Sequence, residues 1–212
     1  MTNAVRKGQR TPLMRGEMAG SDCRLMAKGR WANAHLLKCR KGEKTWVIKD
    51  YASCRPVVRG TWGQWMVSRE FRAFRRIDGI AGVPSEAFRL DSYAVAYRYI
   101  PGHSLRDLSP VDIPDGFFYS LEQLVQRMHQ RKLVHLDLRN RRNVLITEAG
   151  EPAIIDFQSA IDCSIMPNFL FRFLTEIDYS GVYKNWNRLR PDQLDAERRR
   201  RFSAMSRRRR LW

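Results

Sequence analysis

The residue that most restricts how this chain can fold is Glu70. In "TWGQWMVSREFRAFRRIDG" (61–79), Trp62, Met66, Ala73, Phe74 and Ile77 recur at helical spacing, and Gly79 ends the run. Counting by threes and fours from Trp62 lands on Glu70, so a carboxylate lies inside the stripe that the helix must bury. A buried carboxylate is costly unless a cation meets it. Arg69 and Arg72 on the same helix are candidates. So is Lys49, which stands mid-strand in "WVIKDY" on the face that alternation shares with Val47 and Tyr51. Taken alone, a mid-strand lysine reads as a solvated-face residue.

The surrounding segments supply a frame. Residues 1–20 are polar and punctuated by Gly and Pro, which predicts a loose arm. "RLMAKG", "AHLLKC" and "TWVIKDY" read as strands, with "RKGEK" a hairpin turn between the last two. "GVPSEAFRLDSYAVAYRYIPG" reads as two more strands, and its Pro-Gly close marks a boundary near 101–102. Beyond it, "IPDGFFYSLEQLVQRMHQRKL" is an amphipathic helix with Phe117, Leu121, Leu124, Val125 and Met128 on one stripe. "NVLITEAGEPAIIDF" is a second hairpin. "MPNFLFRFLTEIDYSGVYKNW" reads as a helix whose "NFLFRFL" is a core or lobe-packing segment ahead of a membrane anchor. Strands, one helix, more strands and then a mostly helical half make an α+β chain in two lobes. The expected divisions are an arm at 1–20, a first lobe at 21–101, a second at 102–185 and a basic tail at 186–212.

Three further polar residues cluster in "VHLDLRNRRNVLI" (134–146) and the strand after it. Asp137 and Asn143 bracket a short loop between a helix and a strand, and Asp156 ends "AIIDF". The hairpin brings Asn143 and Asp156 together. Such an oxygen pair suits a hard divalent ion such as magnesium, which takes few protein carboxylates. Asp137 stands outside that pair, free to accept a proton. His135 reads as a structural histidine bracing the loop, and His103 and His129 as surface residues.

Charge limits the partners. The chain carries a formal net charge of +17, and eight arginines in 198–201 and 207–210 supply almost half of it. An anionic partner follows: nucleic acid, membrane surface, phosphorylated glycan or nucleotide. The tail "AERRRRFSAMSRRRRLW" reads as solvated, as a membrane-surface attachment or, ranked behind these, as a nucleic-acid contact. Cys23, Cys39, Cys54 and Cys163 lie far apart without a CxxC pair, which argues against zinc or a disulfide framework and for a reducing compartment. No secretory signal and no spanning segment is visible. The expectation is a cytoplasmic chain or one peripheral on the inner face of the cytoplasmic membrane.

Set in order, "VIK" (Lys49), the helix glutamate (Glu70), "YIPGHSL", "HLDLRNRRN" (His135, Asp137, Asn143) and "IIDF" (Asp156) resemble the protein-kinase-like superfamily over about 24–160. The resemblance implies a bilobal fold with an antiparallel N-lobe sheet plus one helix, and a truncated, mostly helical C-lobe. It implies ATP and Mg²⁺ as cofactors. Lys49 would hold the α- and β-phosphates, with Glu70 orienting it. Gly29, Val47, Arg98, Tyr99 and Ile100 would line the nucleotide. Asp137 would be the catalytic base, Arg139 would stabilise charge on the transferring group, and Asn143 with Asp156 would bind the metal. Departures are Gly29 alone in "AKGRWANAH", Leu136 in place of Arg, and "DFQ" for "DFG" with no "APE" after it. The Asp137-to-Asn143 loop is one residue longer than the HxDxxxxN pattern, so Asn140 or Arg142 could share the asparagine's role. The short remainder after Asp156 leaves no room for a peptide platform. That build is similar to the bacterial lipopolysaccharide core kinases (the heptose and Kdo type) and, more distantly, to RIO and Bud32-like atypical kinases. The implied acceptor is an anionic sugar or glycolipid hydroxyl. An atypical serine/threonine protein kinase comes second, and a non-catalytic module binding nucleotide or membrane comes third.

Overall fold

A computed structural model describes residues 13–20, 22–29 and 33–209 of the chain. The contacts divide it into two compact units, one within 1–71 and 86–99, the other within 72–85 and 100–212.

The first unit is built on a five-stranded antiparallel sheet in the order β1-β2-β3-β5-β4. Its strands are β1 (Asp22–Ala27), β2 (His35–Lys41), β3 (Lys44–Asp50), β4 (Phe88–Arg89) and β5 (Ala94–Arg98). Gly42, at φ +60°, supplies the left-handed residue of the β2–β3 turn. Because β3 lies in the middle, it is buried on both faces from Trp46 to Lys49. A core of Leu13, Cys39, Ile48, Ala94 and Ala96 packs one side of the sheet.

Two expectations fail in this unit. The predicted arm lies outside the described residues for 1–12, but Leu13 is fully buried and Arg15–Gly20 forms a 3₁₀ helix. Arg15 ties that segment to the sheet through Asp50 (2.7 Å) and Asp91. The cysteines were read as unpaired, yet Cys23 and Cys39 face each other across β1 and β2 and form a disulfide. Strand register decides that pairing, and cysteine spacing does not reveal register. The cysteine argument for a reducing compartment falls with it.

The helix of this region begins as α1 (Pro56–Val58), passes through a π-helical turn at Arg59–Gly63 and continues as α2 (Gln64–Ile77). The π turn breaks the 3.6-residue phase. Met66, Ala73, Phe74 and Ile77 are buried as the stripe requires, but Trp62 is exposed, contrary to expectation, and lies against Trp65.

The second unit has two small antiparallel ladders. One joins β6 (His103–Ser104), β8 (Val144–Ile146) and β9 (Pro152–Ile154); the other joins β7 (Leu133–Val134) to β10 (Ile161–Asp162). Around them lie α3 (Phe117–Gln130), α4 (Asn168–Leu189) and α5 (Ala196–Arg209). The predicted stripe of α3 is buried throughout. In α4 only the second half is core: Val182, Tyr183, Trp186 and Leu189 are buried, while Phe169 and Phe173 stand exposed. "NFLFRFL" is therefore not the core segment its composition suggested, because nothing among the described residues packs over its outer side chains. Of the expected tail, Ala196–Arg209 is helical and docks through its first turns. Arg198 pairs with Glu122 and Asp195 (both 2.6 Å) and lies over the rings of Tyr119 and Trp186. Arg201 pairs with Glu176 (2.6 Å) and covers Tyr179. Partly exposed pairs of this kind contribute about 0.2–1 kcal/mol each. Among the described residues no helix is long and apolar enough to cross a membrane.

Candidate active site

In the first unit the Lys49 Nζ donates to Glu70 Oε1 at 2.6 Å, with side-chain exposures of 8% and 1%. The central place of β3 removes the solvated face that a mid-strand lysine would otherwise use. Lys49 is therefore not the solvated residue that its segment alone suggested, and it supplies a cation to the buried Glu70. Val47 is buried on the same strand. Gly29 follows β1 and lines an open depression with Lys28, Asn33, His35, Ser53, Cys54 and Arg55. A side chain at Gly29 would run into the backbone carbonyl of Asn33, so this glycine serves close backbone approach. Arg98 is drawn to Glu86 (3.5 Å) and over Trp46, and Lys38 lies 3.6 Å above the Tyr99 ring. The Tyr99 amide donates to the Thr45 carbonyl (2.9 Å), so the side chains of both residues and one amide are already engaged in the sheet.

In the second unit the loop after β7 converges on Asp137. Asn143 is buried, and its Nδ2 donates to the Asp137 backbone oxygen (3.1 Å) and to Asp137 Oδ2 (2.8 Å). The carboxylate thus has a fixed orientation, and the reading of Asp137 as standing outside the polar pair is corrected. Asn140 shares this contact, its Nδ2 donating to the same Asp137 Oδ2 (3.4 Å), while its Oδ1 accepts from the Arg142 amide (3.2 Å) and caps the 3₁₀ turn Arg141–Asn143. The extra loop residue is absorbed in that turn. On the far side, Ile155 donates its amide to the Asn143 carbonyl (2.9 Å), and Val144 faces Ile154 across the hairpin, which sets Asp156 beside Asn143. Leu136 and Asp156 hold left-handed backbone conformations, φ +66° and +64°. For non-glycine residues these cost of order 1–3 kcal/mol each and persist where neighbours enforce them.

His135 links the two ends of this loop. Its Nε2 lies 3.0 Å from the Ile155 carbonyl, which can only accept, and its Nδ1 lies 3.3 Å from the Asp137 amide, which can only donate. One donor and one acceptor define a neutral imidazole with the proton on Nε2. Burial pushes its pKa down in the same sense, outweighing the opposing pull of Asp178, Asp156 and Asp137.

The oxygens offered are of the hard type. An acceptor-only carboxylate holds the Asn143 amide nitrogen, so its Oδ1 is directed to the opposite side of that carboxamide. With the Asp156 carboxylate it would offer the kind of oxygens that magnesium takes alongside phosphate oxygens. Among the described residues there is no cluster of three His, Cys, Asp or Glu side chains able to hold an ion unaided.

The family model of the RIO domain matches residues 48–198, from the strand of Lys49 to the start of α5. The chain belongs to the RIO domain family. A RIO-type serine/threonine-protein kinase Rio1 of Methanocaldococcus jannaschii is 29% identical over 135 residues, 56% of this chain and 46% of that protein. The chain thus spans about half the length of this curated relative. The fold is similar to crystal structures of the Rio2 kinase of Chaetomium thermophilum. One, an ADP/Mg²⁺-phosphoaspartate complex, gives a TM-score of 0.58 at 18% identity, covering 100% of this chain and 80% of that one. Another gives 0.59 at 16%, covering 92% and 76%. The α+β kinase-like fold is thereby shown. The family is the one that the sequence placed as the more distant resemblance, behind the lipopolysaccharide core kinases.

The RIO domain also contains a group that sequence reasoning missed. Asp178 of α4 is fully buried; its Oδ2 accepts from the His135 amide (2.8 Å) and its Oδ1 from the Leu136 amide (2.7 Å). His129 Nε2 lies 2.9 Å from the same Oδ2, so His129 is buried rather than a surface residue. Three residues on, Gly181 lets α4 approach the loop backbone: a Cβ there would meet Arg139 N at 2.8 Å. Asn185 then donates to the Leu138 carbonyl (2.8 Å), and Ser180 Oγ accepts from Arg139 (3.0 Å). The available signal was a glycine in mid-helix, unfavourable by about 1 kcal/mol relative to Ala, spaced one turn after an aspartate.

Proposed function

We propose that this RIO domain is an atypical kinase that transfers the γ-phosphate of Mg·ATP to a hydroxyl. The observation that carries the reading is the buried Lys49–Glu70 pair. A buried ion pair is often no better for stability than the apolar residues that could replace it. Its retention in the central strand is best explained by a task for the amine. In this reading Lys49 holds the α- and β-phosphates and Glu70 keeps it extended. Gly29 and Val47 approach the nucleotide, as does the segment Arg98, Tyr99 and Ile100.

Asn143 Oδ1 and the Asp156 carboxylate would hold magnesium, which neutralises phosphate charge when bound. Asp137, held in one orientation by Asn143, accepts the hydroxyl proton, and Arg139 offers positive charge to the transferring group. Most of the rate gain is then positioning and charge neutralisation. The Rio1 relative is named a serine/threonine-protein kinase, which supports a protein hydroxyl ahead of a sugar or glycolipid as acceptor. The phosphoaspartate in the Rio2 complex adds a carboxylate as a further acceptor to test. A cytoplasmic site of action accords with ATP as the donor.

Radiolabelled Mg·ATP is to be offered to the full chain with a protein mixture and with a glycolipid extract. Label should pass to protein in an alkali-labile, hydroxylamine-resistant ester, and Asp137→Asn and Asp156→Asn should each lower transfer by about 10²-fold or more. Hydroxylamine-labile label on the chain itself would indicate an acyl phosphate. Label in glycolipid alone would restore the sugar-kinase reading. Equal transfer by wild type and both variants would leave a binding module rather than an enzyme.

A further inference from the structure

We propose that the N-terminal end of α4 is a docking face for an anionic lipid bilayer. Ile165 is 97% exposed, Phe169 75% and Phe173 62%, with Leu170 beside them at the edge of exposure. Phe169 and Phe173 are one helical turn apart, so they project from one face, and Ile165 precedes them in the loop that leads into the helix. Scattered single apolar residues are ordinary on a surface; a contiguous group of large ones marks an interaction site.

The charges around this face decide the partner. Arg172 lies on the same turns of α4 and is exposed. The β10 region meets the α3–β7 turn through the Cys163 amide and Lys132 carbonyl (2.7 Å), which brings exposed Arg131 to the same end of α4. Half-buried Lys132 is turned away from this face: its amine lies 4.1 Å above the ring of Phe171, which is on the other side of α4 from Phe169 and Phe173. The nearby carboxylates are already paired: Asp162 with Arg76 (2.9 Å) and Glu176 with Arg201 (2.6 Å), while Asp178 is buried in the loop network. Among the described residues no ion pair holds Arg131 or Arg172. The rim is therefore positive without compensation.

An acidic protein would satisfy the rim but would need pockets matched to side chains that protrude almost entirely from the surface. Fluid hydrocarbon accepts protruding phenyl and isoleucyl groups of any outline, and the anionic headgroups outside it complement the exposed Arg131 and Arg172. The arginines of α5 that looked suited to this role are not the centre of it. Arg198 and Arg201 are engaged in holding α5 to α3 and α4. Nothing in this inference depends on phosphotransfer.

The test is flotation of the full chain with vesicles of phosphatidylcholine, alone or with about one quarter phosphatidylglycerol. Wild type should float with the anionic vesicles and much less with the neutral ones. The pair Phe169→Ser and Phe173→Ser should weaken anionic-vesicle binding by about tenfold or more. It should leave the melting temperature and any phosphotransfer to soluble acceptors unchanged, because both side chains are exposed. Arg172→Glu should weaken binding less, and only to anionic vesicles. The inference is overturned if wild type ignores anionic vesicles, or if the double variant floats like wild type, which would leave the arginines alone as the cause. It is equally overturned if the double variant turns a dimer into a monomer with vesicle binding intact, since the face would then serve a second copy of the chain.

Discussion

Each unit of this RIO domain buries a carboxylate, and the two are treated differently. Glu70 in the first unit meets a full opposite charge, Lys49, at 2.6 Å. Asp178 in the second meets amides: the His135 and Leu136 N–H groups, with His129 alongside. A charge pair can be exchanged for two apolar residues with little loss. A carboxylate that terminates backbone donors cannot, because those donors remain buried when it goes. The first arrangement presents a charge to something else, whereas the second shapes a loop. The largest effect predicted from this contrast is at Asp178. Asp178→Ala strands two amides and a histidine and releases the left-handed turn at Leu136, for a loss of about 4 kcal/mol or more by chemical denaturation. Asp178→Asn, which keeps one acceptor oxygen, should lose less. If Asp178→Ala unfolded at the wild-type denaturant midpoint, the loop would not depend on the carboxylate.

The middle prediction sharpens the other half. Lys49→Met leaves Glu70 buried without its cation and should cost about 3 kcal/mol. Adding Glu70→Met removes the buried carboxylate as well and should restore stability to within about 1 kcal/mol of wild type. Phosphotransfer should be lost in both. A stable double variant without activity separates the pair's function from folding. If the double variant were as unstable as the single one, the pair would be a structural element after all, and the argument drawn from its retention would fail.

What could be read in the sequence follows the same division. Local periodicity disclosed the β2–β3 hairpin, the buried stripe of α3 and the anomaly at Glu70, because each depends on residues within a turn or two. The β8–β9 hairpin placed Asn143 beside Asp156 for the same reason. Contacts set by distant register were not legible. Cys23 meets Cys39 only through the pairing of β1 with β2, and Asp178 meets His135 only through the packing of α4 on the loop. Trp62 was misplaced because one π turn shifts the helical phase ahead of it. Arg198 and Arg201 read as part of a solvated or membrane-binding tail because their carboxylates, Glu122 and Glu176, lie on other helices. Exposure of Phe169 and Phe173 is the converse case. Apolar composition states a preference for burial, but it does not say whether anything arrives to cover the residue.

The smallest effect concerns His135, which stands between the two ends of the loop. Its neutral form donates to Ile155 and accepts from Asp137, and burial lowers its pKa below the ordinary histidine value. In the unfolded chain it titrates near about 6.5. As pH falls through that value the unfolded state takes up a proton that the folded state resists, so stability must decline with acid. The contribution is complete above pH about 6.5 and is lost progressively below it, levelling once the folded-state value is passed. The facing carboxylates of Asp178, Asp156 and Asp137 oppose this by favouring the imidazolium, and they make the decline shallow rather than steep. Urea midpoints followed from pH 8 to about 5 should fall for wild type and stay flatter for His135→Gln, which has no proton to gain in that window. A wild-type midpoint that rose on acidification through the same window would mean that the carboxylates prevail over burial. The histidine would then be charged, and its Nδ1 could no longer accept from Asp137.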